Sequence, residues 1–213
     1  MRAARIGIVD YGIGNIKSVE NALIAIGAEP VVSWDRHELA GCDRLILPGV
    51  GAFAHGMAAL EDRDLVGFLR DQAGEGKPLL GICLGMQLLT AFSTEFGYTE
   101  GLGLIEGGIE RMRAPEDAGV DFRLPNVGWL ELAKTGQASD LAAQLLDPVR
   151  FGSRFYFIHS FCGDAKILRT AATAEYLGVR FAALVCHGSV IGTQFHPEKS
   201  GPEGLKMLKN FTF

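Results

Sequence analysis

"PLLGICLGMQLL", residues 78–89, is an apolar run interrupted by one cysteine between two glycines. A buried core segment has no use for that punctuation. A strand that must stop abruptly, expose one side chain and re-enter as a helix does need it, because such a turn is strained and brings backbone against backbone. Gly81-Ile82-Cys83-Leu84-Gly85 has the G-x-nucleophile-x-G spacing of a strand-to-helix elbow, with sulfur in place of a hydroxyl. "PLLGI" (78–82) then reads as a strand and "LGMQLLTAF" (84–92) as the opening of a helix. A thiol at a helix N-terminus is biased toward the nucleophilic thiolate, and the amide of Leu84 is placed to donate to a developing oxyanion. The plainer alternative is a structural cysteine packed between two glycines.

Working outward, the first half alternates short apolar runs with helical patterns. "ARIGIV" (4–9), "PVVS" (30–33) and "RLILP" (44–48) read as strands, and "SVENALIAIG" (18–27) as a helix stopped by glycine. Residues 55–76, "HGMAALEDRDLVGFLRDQAGEG", carry apolar side chains at helical spacing up to a glycine stop. Strand, helix and strand repeated in this way predict parallel strands joined by crossover helices, an open α/β sandwich. The second half changes character. "LIEGGIERM" (104–112), "FRLPNVGWLEL" (122–132), "SRFYFIHSF" (153–161), "LRTAATAEY" (168–176), "FAALVCHG" (181–188) and "SVIGTQF" (189–195) are strand-like and predict an antiparallel extension. "GPEGLKMLKNF" (201–211) reads as a closing amphipathic helix. No linker or repeat divides residues 1–213, which read as one domain.

Composition narrows the function classes. The 213 residues are 48% hydrophobic and 21% charged, with a net charge of −5, ordinary for a soluble globular chain. That charge offers no basic footprint for nucleic acid and no polybasic patch for a membrane. No apolar run approaches the roughly 18 residues of a membrane span, and the start reads directly into a strand rather than a leader. The four cysteines (Cys42, Cys83, Cys162, Cys186) are scattered, without CxxC or zinc-like spacing. A reducing, cytoplasmic setting is expected, with no metal and no cofactor.

A cysteine nucleophile needs a base, near in space though not in sequence. Of five histidines (His37, His55, His159, His187, His196), His196 in "GTQFHPEKS" follows a strand-like run, and Glu198 lies two residues on. Glu198 can accept from one imidazole nitrogen and leave the other to take the thiol proton. Alone, such a pair at a strand end is more often a solvated turn; coupled to a cysteine elbow it becomes a strong signal. His37 and His55 lie in mixed-polarity helical stretches and are expected in solvent; His187 has no evident place. "LPGVGAF" (47–53) follows the strand "RLIL" at the same sheet edge, and Gly49 and Gly51 permit dihedrals that could turn an amide toward the site. An ordinary strand-to-helix turn is the alternative. "DYGIGN" (10–15) suggests a nucleotide loop, but Lys17 stands where the third glycine of G-x-G-x-x-G belongs, so a dinucleotide site is not expected.

Together, "GICLGMQLL" and "QFHPEKS" resemble the class I, triad-type glutamine amidotransferases, and the likeness runs over essentially the whole chain. "DYGIGNIKSV", "LILPGVGAF", "GLGLI" and "FYFIHSF" are similar, within that superfamily, to the glutaminase subunits that serve imidazole glycerol phosphate synthases in histidine biosynthesis. The resemblance implies a flavodoxin-like fold and hydrolysis of L-glutamine to glutamate and ammonia. It makes Cys83 the nucleophile, His196 the acid/base and Glu198 its orienting partner. The oxyanion hole falls at Leu84 and the Val50–Gly51 loop. Gly51, Gln87, Glu95 and the backbone of His159, Ser160 and Phe161 fall where the family holds glutamine, with Gln87 and Glu95 expected along the helix opened by Cys83. Asn15, Trp129 and Lys199 fall toward a separate (β/α)8 cyclase that would consume the ammonia.

One stretch departs from the pattern. The family's proline-histidine-methionine-glycine-tryptophan-asparagine string, near the partner, here reads Pro125-Asn126-Val127-Gly128-Trp129-Leu130. The departure leaves open a paralogue feeding another synthase, such as one that aminates a sugar precursor. A non-catalytic partner-binding module would not need Cys83, His196 and Glu198 together, and a cysteine hydrolase acting alone would not need Gln87, Glu95 and "HSF".

Overall fold

The computed structural model describes residues 3–114, 121–150, 152–166 and 169–213. Leu168, the first residue of the strand expected over 168–176, lies outside them, as do Met1 and Arg2.

The fold is built on an eight-stranded sheet. Strands β1 (Arg5–Val9), β2 (Glu29–Ser33), β3 (Arg44–Leu47) and β4 (Leu79–Ile82) pair in parallel. Helices α1 (Ile16–Ala25), α2 (Arg36–Ala40), α3 (Phe53–Glu61) and α4 (Leu65–Gly74) make the crossovers. After α5 (Leu84–Leu88) the chain forms β5 (Thr90–Ser93), β6 (Thr99–Glu100), β7 (Ile105–Arg111), β8 (Asn126–Glu131), β9 (Ala133–Lys134), α6 (Asp140–Leu146), β10 (Arg154–His159) and β11 (Phe161–Gly163), strands that lie outside the sheet except for β9, which joins its edge. It completes the sheet with β12 (Thr170–Tyr176), β13 (Val179–His187) and β14 (Val190–Thr193), and closes with α7 (Gly201–Thr212). The strand order is β2-β1-β3-β4-β14-β13-β12-β9, parallel as far as β14 and antiparallel beyond.

The open α/β sandwich and its antiparallel extension are therefore present. The central strands β4 and β14 are buried along their whole length, as strands covered on both faces must be. One face packs against α1, α6 and α7 through residues such as Leu23, Leu145 and Phe211; the other packs against α2, α3 and α4 through Leu39, Leu60 and Leu69.

Three boundaries differ from the sequence expectation. The helix expected over 55–76 is two helices, because Asp64 takes a left-handed φ of 55° and Arg63 turns away to bind the Asp10 carbonyl. The helix opened at Leu84 stops after five residues: Leu102 N–H bonds the Leu88 carbonyl at 2.8 Å and Leu104 N–H bonds the Leu89 carbonyl at 2.9 Å, capturing acceptors that another helical turn would need. The run 153–161 breaks at Ser160, since the chain pairs with β8 before that point and with β7 after it. Part of the extension thus forms two separate sheets, β10-β8 and β11-β7-β5-β6. Among the described residues no helix is long and apolar enough to cross a membrane.

The elbow is the tightest point. A Cβ on Gly85 would lie 1.8 Å from the Leu47 carbonyl oxygen, and one on Gly81 would lie 2.7 Å from the Gly85 carbonyl. Gly67, exposed within α4, has nothing within 4 Å of its would-be Cβ. Gly85→Ala should therefore cost about 3 kcal/mol or more, the upper end for overpacking against a backbone that cannot retreat. Gly67→Ala should add about 0.5–1 kcal/mol by removing helix-disfavouring freedom. Urea denaturation of the two variants should move the midpoint in opposite directions.

Candidate active site

Cys83 has φ 54° and ψ −109°, a strained conformation for a residue with a Cβ. It is held by its own amide, which donates to the Thr193 carbonyl at 2.7 Å, and by the helix behind it, where Gln87 N–H donates to the Cys83 carbonyl. The side chain emerges beyond the carboxyl end of β4, where open α/β sheets bind ligands. Its thiol points to the Ile158 carbonyl at 3.9 Å, and Gln194 Nε2 donates to the sulfur at 3.8 Å.

His196 stands just beyond β14, its amide donating to the Tyr156 carbonyl at 2.9 Å. Its Nδ1 lies 2.8 Å from Glu198 Oε1, and both side chains are almost wholly buried. The 3-10 turn Pro197–Lys199 sets the two on one side, as their spacing predicts. His196 Nε2 is buried without a directed hydrogen bond in this arrangement, although the Cys83 sulfur is its neighbour. Burial works most strongly against a charged imidazole here. The nearby Cys83 sulfur and the hydrogen bond to Glu198, together with the charges of both, outweigh it and raise the His196 pKa to about 9. The imidazole ring is thus held between a sulfur and a carboxylate, the arrangement that activates a thiol.

The loop after β3 follows the sequence reading in part. Gly51 has φ +105° and Val50 is exposed, so this stretch is free to turn. Gly49 has an ordinary dihedral and serves close approach instead: its Cβ would sit 2.5 Å from the Tyr11 hydroxyl. The Leu84 amide, expected to be free for an oxyanion, donates to the Gly49 carbonyl at 3.3 Å. Tyr11 Oη donates to the Pro48 carbonyl at 2.8 Å and so anchors the loop from below. Burial, and then the charge of Cys83, raise the Tyr11 pKa well above the usual phenol range.

Cys83 opens into a cleft of about 370 Å³ that Gly51, Gln87, Glu95, Ser160 and Phe161 also line. Gln87 Nε2 donates to the Phe161 carbonyl and to Gln194 Oε1, both at 3.1 Å. Both its N–H groups are spent, so its oxygen is the atom left for a ligand. Glu95 is not on the helix of Cys83, because that helix ends at Leu88; it follows β5, where its Oε2 accepts from Phe53 N–H at 2.8 Å. His159 donates from Nδ1 to the Phe161 carbonyl and accepts at Nε2 from Asn126, each at 3.0 Å. Burial, helped by the charge of His196 and opposed by the Phe161 bond, lowers its pKa to about 4.

His37 and His55 are exposed, as expected, and His187 is an exposed residue whose Nδ1 lies 3.2 Å from the Leu104 carbonyl. Lys199 is exposed, Asn15 is partly exposed before α1, and Trp129 is 49% exposed with its ring edge-on to Tyr156. Sequence reading missed Tyr11, Ile158 and Gln194. A glutamine in the otherwise apolar run "VIGTQF", two residues before His196, was the available signal for Gln194.

The two buried histidines give opposite pH dependences. Unfolded His159 takes its proton near 6.5, but the folded side chain resists until about 4, so this stability is lost as pH falls through that window. Folded His196 keeps its proton up to about 9, so its contribution is complete below 6.5 and lost as pH rises to about 9. Urea midpoints measured across the pH range should show the acid limb flattened in His159→Gln and the alkaline limb flattened in His196→Gln.

The family model described as glutamine amidotransferase class-I matches residues 7–213. The chain is 45% identical to an imidazole glycerol phosphate synthase subunit HisH of Bacillus mycoides, over 97% of this chain and 93% of that one. It is 46% identical to the protein of the same name from Bacillus cereus strain G9842, with the same coverage. Among solved structures, PurLQS from Thermotoga maritima superposes with a TM-score of 0.69 at 21% identity, covering 99% of this chain and 98% of the other. The glutaminase domain of Trypanosoma brucei CTPS gives 0.62 at 17% identity, covering 98% and 94%. At those identities the structures speak to the fold alone. The chain belongs to the class-I glutamine amidotransferase family.

Proposed function

We propose that the chain is the glutaminase subunit of an imidazole glycerol phosphate synthase. It hydrolyses L-glutamine to L-glutamate and ammonia and delivers the ammonia to a separate (β/α)8 cyclase in histidine biosynthesis. The observation that carries this reading is the strained Cys83 beside the buried His196–Glu198 pair, in a cleft with Gln87 and Glu95. The name shared by relatives at about 45% identity supports the choice of acceptor.

The chemistry follows from the side chains. A primary amide is a poor electrophile, so a thiolate divides its hydrolysis through a glutamyl thioester. The Cys83 sulfur attacks the side-chain carbonyl of glutamine, and the imidazolium of His196 protonates the departing ammonia. Neutral His196 then takes a proton from water as the water attacks the thioester, and returns it to the sulfur as glutamate leaves. Glu198 keeps Nδ1 protonated throughout. A carboxylate at Glu95 and the Gln87 oxygen suit an α-ammonium group. The oxyanion needs amide donors, and Leu84 becomes one only when the Gly49 carbonyl releases it. The loop Pro48–Gly51 is therefore the natural place for a partner to switch the reaction on.

The departure at "PNVGWLEL" weighs less against this partner than the sequence alone suggests. Asn126 is buried on His159, and Leu130 packs toward the core. The outward side of β8 carries Trp129, which belongs to the family pattern, and Val127, the one departure that faces outward. A paralogue serving a different synthase is the second reading, favoured by Asn126, Val127 and Leu130, of which Val127 lies on the outward side.

Three outcomes test the proposal. Cys83→Ala should release no measurable ammonia from glutamine while keeping its melting temperature within a few degrees, since one sulfur leaves only a small void. The natural subunit should be stimulated at least about 10²-fold by the liganded cyclase of the same genome, the worth of one oxyanion donor. Gly51→Val should lose most of that stimulation, because a β-branched residue resists φ +105°. Equal rates with and without cyclase would contradict the gating, and failure to bind that cyclase at micromolar concentration would favour the paralogue.

A further inference from the structure

Gln194 follows β14 and is completely buried, with both ends of its amide committed to the candidate site. The direction of that amide is settled by a carbonyl two hydrogen bonds away, through Gln87. Phe161 O can only accept, so the Gln87 atom 3.1 Å away is nitrogen. The second hydrogen of the same NH2 goes to Gln194 and finds oxygen, at 3.1 Å. Gln194 is left with its NH2 toward the Cys83 sulfur, at 3.8 Å. No other assignment satisfies all three contacts.

We propose that Gln194 is a positioning residue: its Nε2–H donates to the Cys83 sulfur, stabilises the thiolate and ties the sulfur in register with Gln87. This rests on reading Cys83 as the nucleophile. An N–H···S contact strengthens when the sulfur is charged, and it matters most where water is excluded and an unsolvated anion is costly. The other groups around the sulfur leave this role open. Tyr11 spends its hydroxyl hydrogen on Pro48, and the Ile158 carbonyl can receive a hydrogen bond only from the thiol form. His196, backed by Glu198, supplies the mobile proton rather than a permanent donor. His159 is engaged at both ring nitrogens by Phe161 and Asn126.

Alkylation of Cys83 by iodoacetamide, followed by mass spectrometry across pH 5–10, tests the assignment without requiring turnover. Gln194→Met keeps the length of the side chain and donates nothing. Gln194→Glu keeps the acceptor toward Gln87 and turns a carboxylate on the sulfur. The alkylation midpoint should rise by about one pH unit in Gln194→Met, a tenfold loss of thiolate at pH values below both midpoints, and further in Gln194→Glu. In the cyclase complex, kcat should fall more than KM rises. A glutamine with only a structural role would lower the melting temperature and leave the midpoint in place, which would overturn the proposal. Should both variants fail to fold, the natural protein still decides. The Gln194 side-chain amide resonance should shift with the midpoint of Cys83 alkylation, and should cease to titrate in Cys83→Ser. A resonance indifferent to Cys83 would refute the contact. Ammonia release by the natural complex is scored separately, so failure of the glutaminase reading and failure of the Gln194 assignment are distinct results.

Discussion

The approach of Gly85 to the carbonyl of Leu47 governs this molecule. Helix α5 starts so close to β3 that no side chain fits between them, and the chain reaches that position only by forcing Cys83 to φ 54°. Two consequences follow. The sulfur is driven out beyond the sheet edge instead of folding back into the core, and the loop after β3 is brought against the first amide of α5. The Leu84–Gly49 hydrogen bond is the direct product of that proximity. A thiol elbow and a loop that covers the first amide of its helix are thus one geometric fact seen from two strands.

Around the elbow, polarity is organised by a single backbone carbonyl. Phe161 O receives hydrogen bonds from His159 and Gln87, which come from β10 and α5. Each donor is thereby fixed in orientation, and each passes that orientation on: His159 must accept from Asn126, and Gln87 must offer its second hydrogen to Gln194. A buried network with few alternative satisfied arrangements is stiff, because reversing one member would leave another unpaired. Such stiffness suits a site that must hold a small amino acid against a strained thiol. The loop Pro48–Gly51 is its counterpart, anchored at Tyr11 and free to turn at Gly51.

The two-stranded sheet β8-β10 connects this interior to the surface. Its inward side carries Asn126, Phe157 and His159, and its outward side carries Val127 and Trp129. Tyr156 lies under Trp129 and accepts from the amide of His196, so strand β10 supports both the exposed aromatic and the candidate base. A departure from the family pattern on the inward side is absorbed by repacking within the protein. The same change on the outward side would be read by whatever docks there.

The sequence alone determined what depends on local pattern. Parallel strands with crossover helices followed from apolar periodicity, the elbow from two glycines flanking Cys83, and the His196–Glu198 pair from a two-residue spacing after a strand. Each is a property of neighbours along the chain. It could not reveal where α5 ends, because that depends on the amides of Leu102 and Leu104 arriving from another segment. Nor could it tell that Glu95 reaches the cleft from a loop after β5, that the Leu84 amide is occupied, or that Asn126 points inward. The role of Gln194 was equally hidden, since its partners Cys83 and Gln87 lie more than a hundred residues away. Hydrogen bonds and burial between distant segments are decided by how the sheets pack, and only the folded chain holds that information.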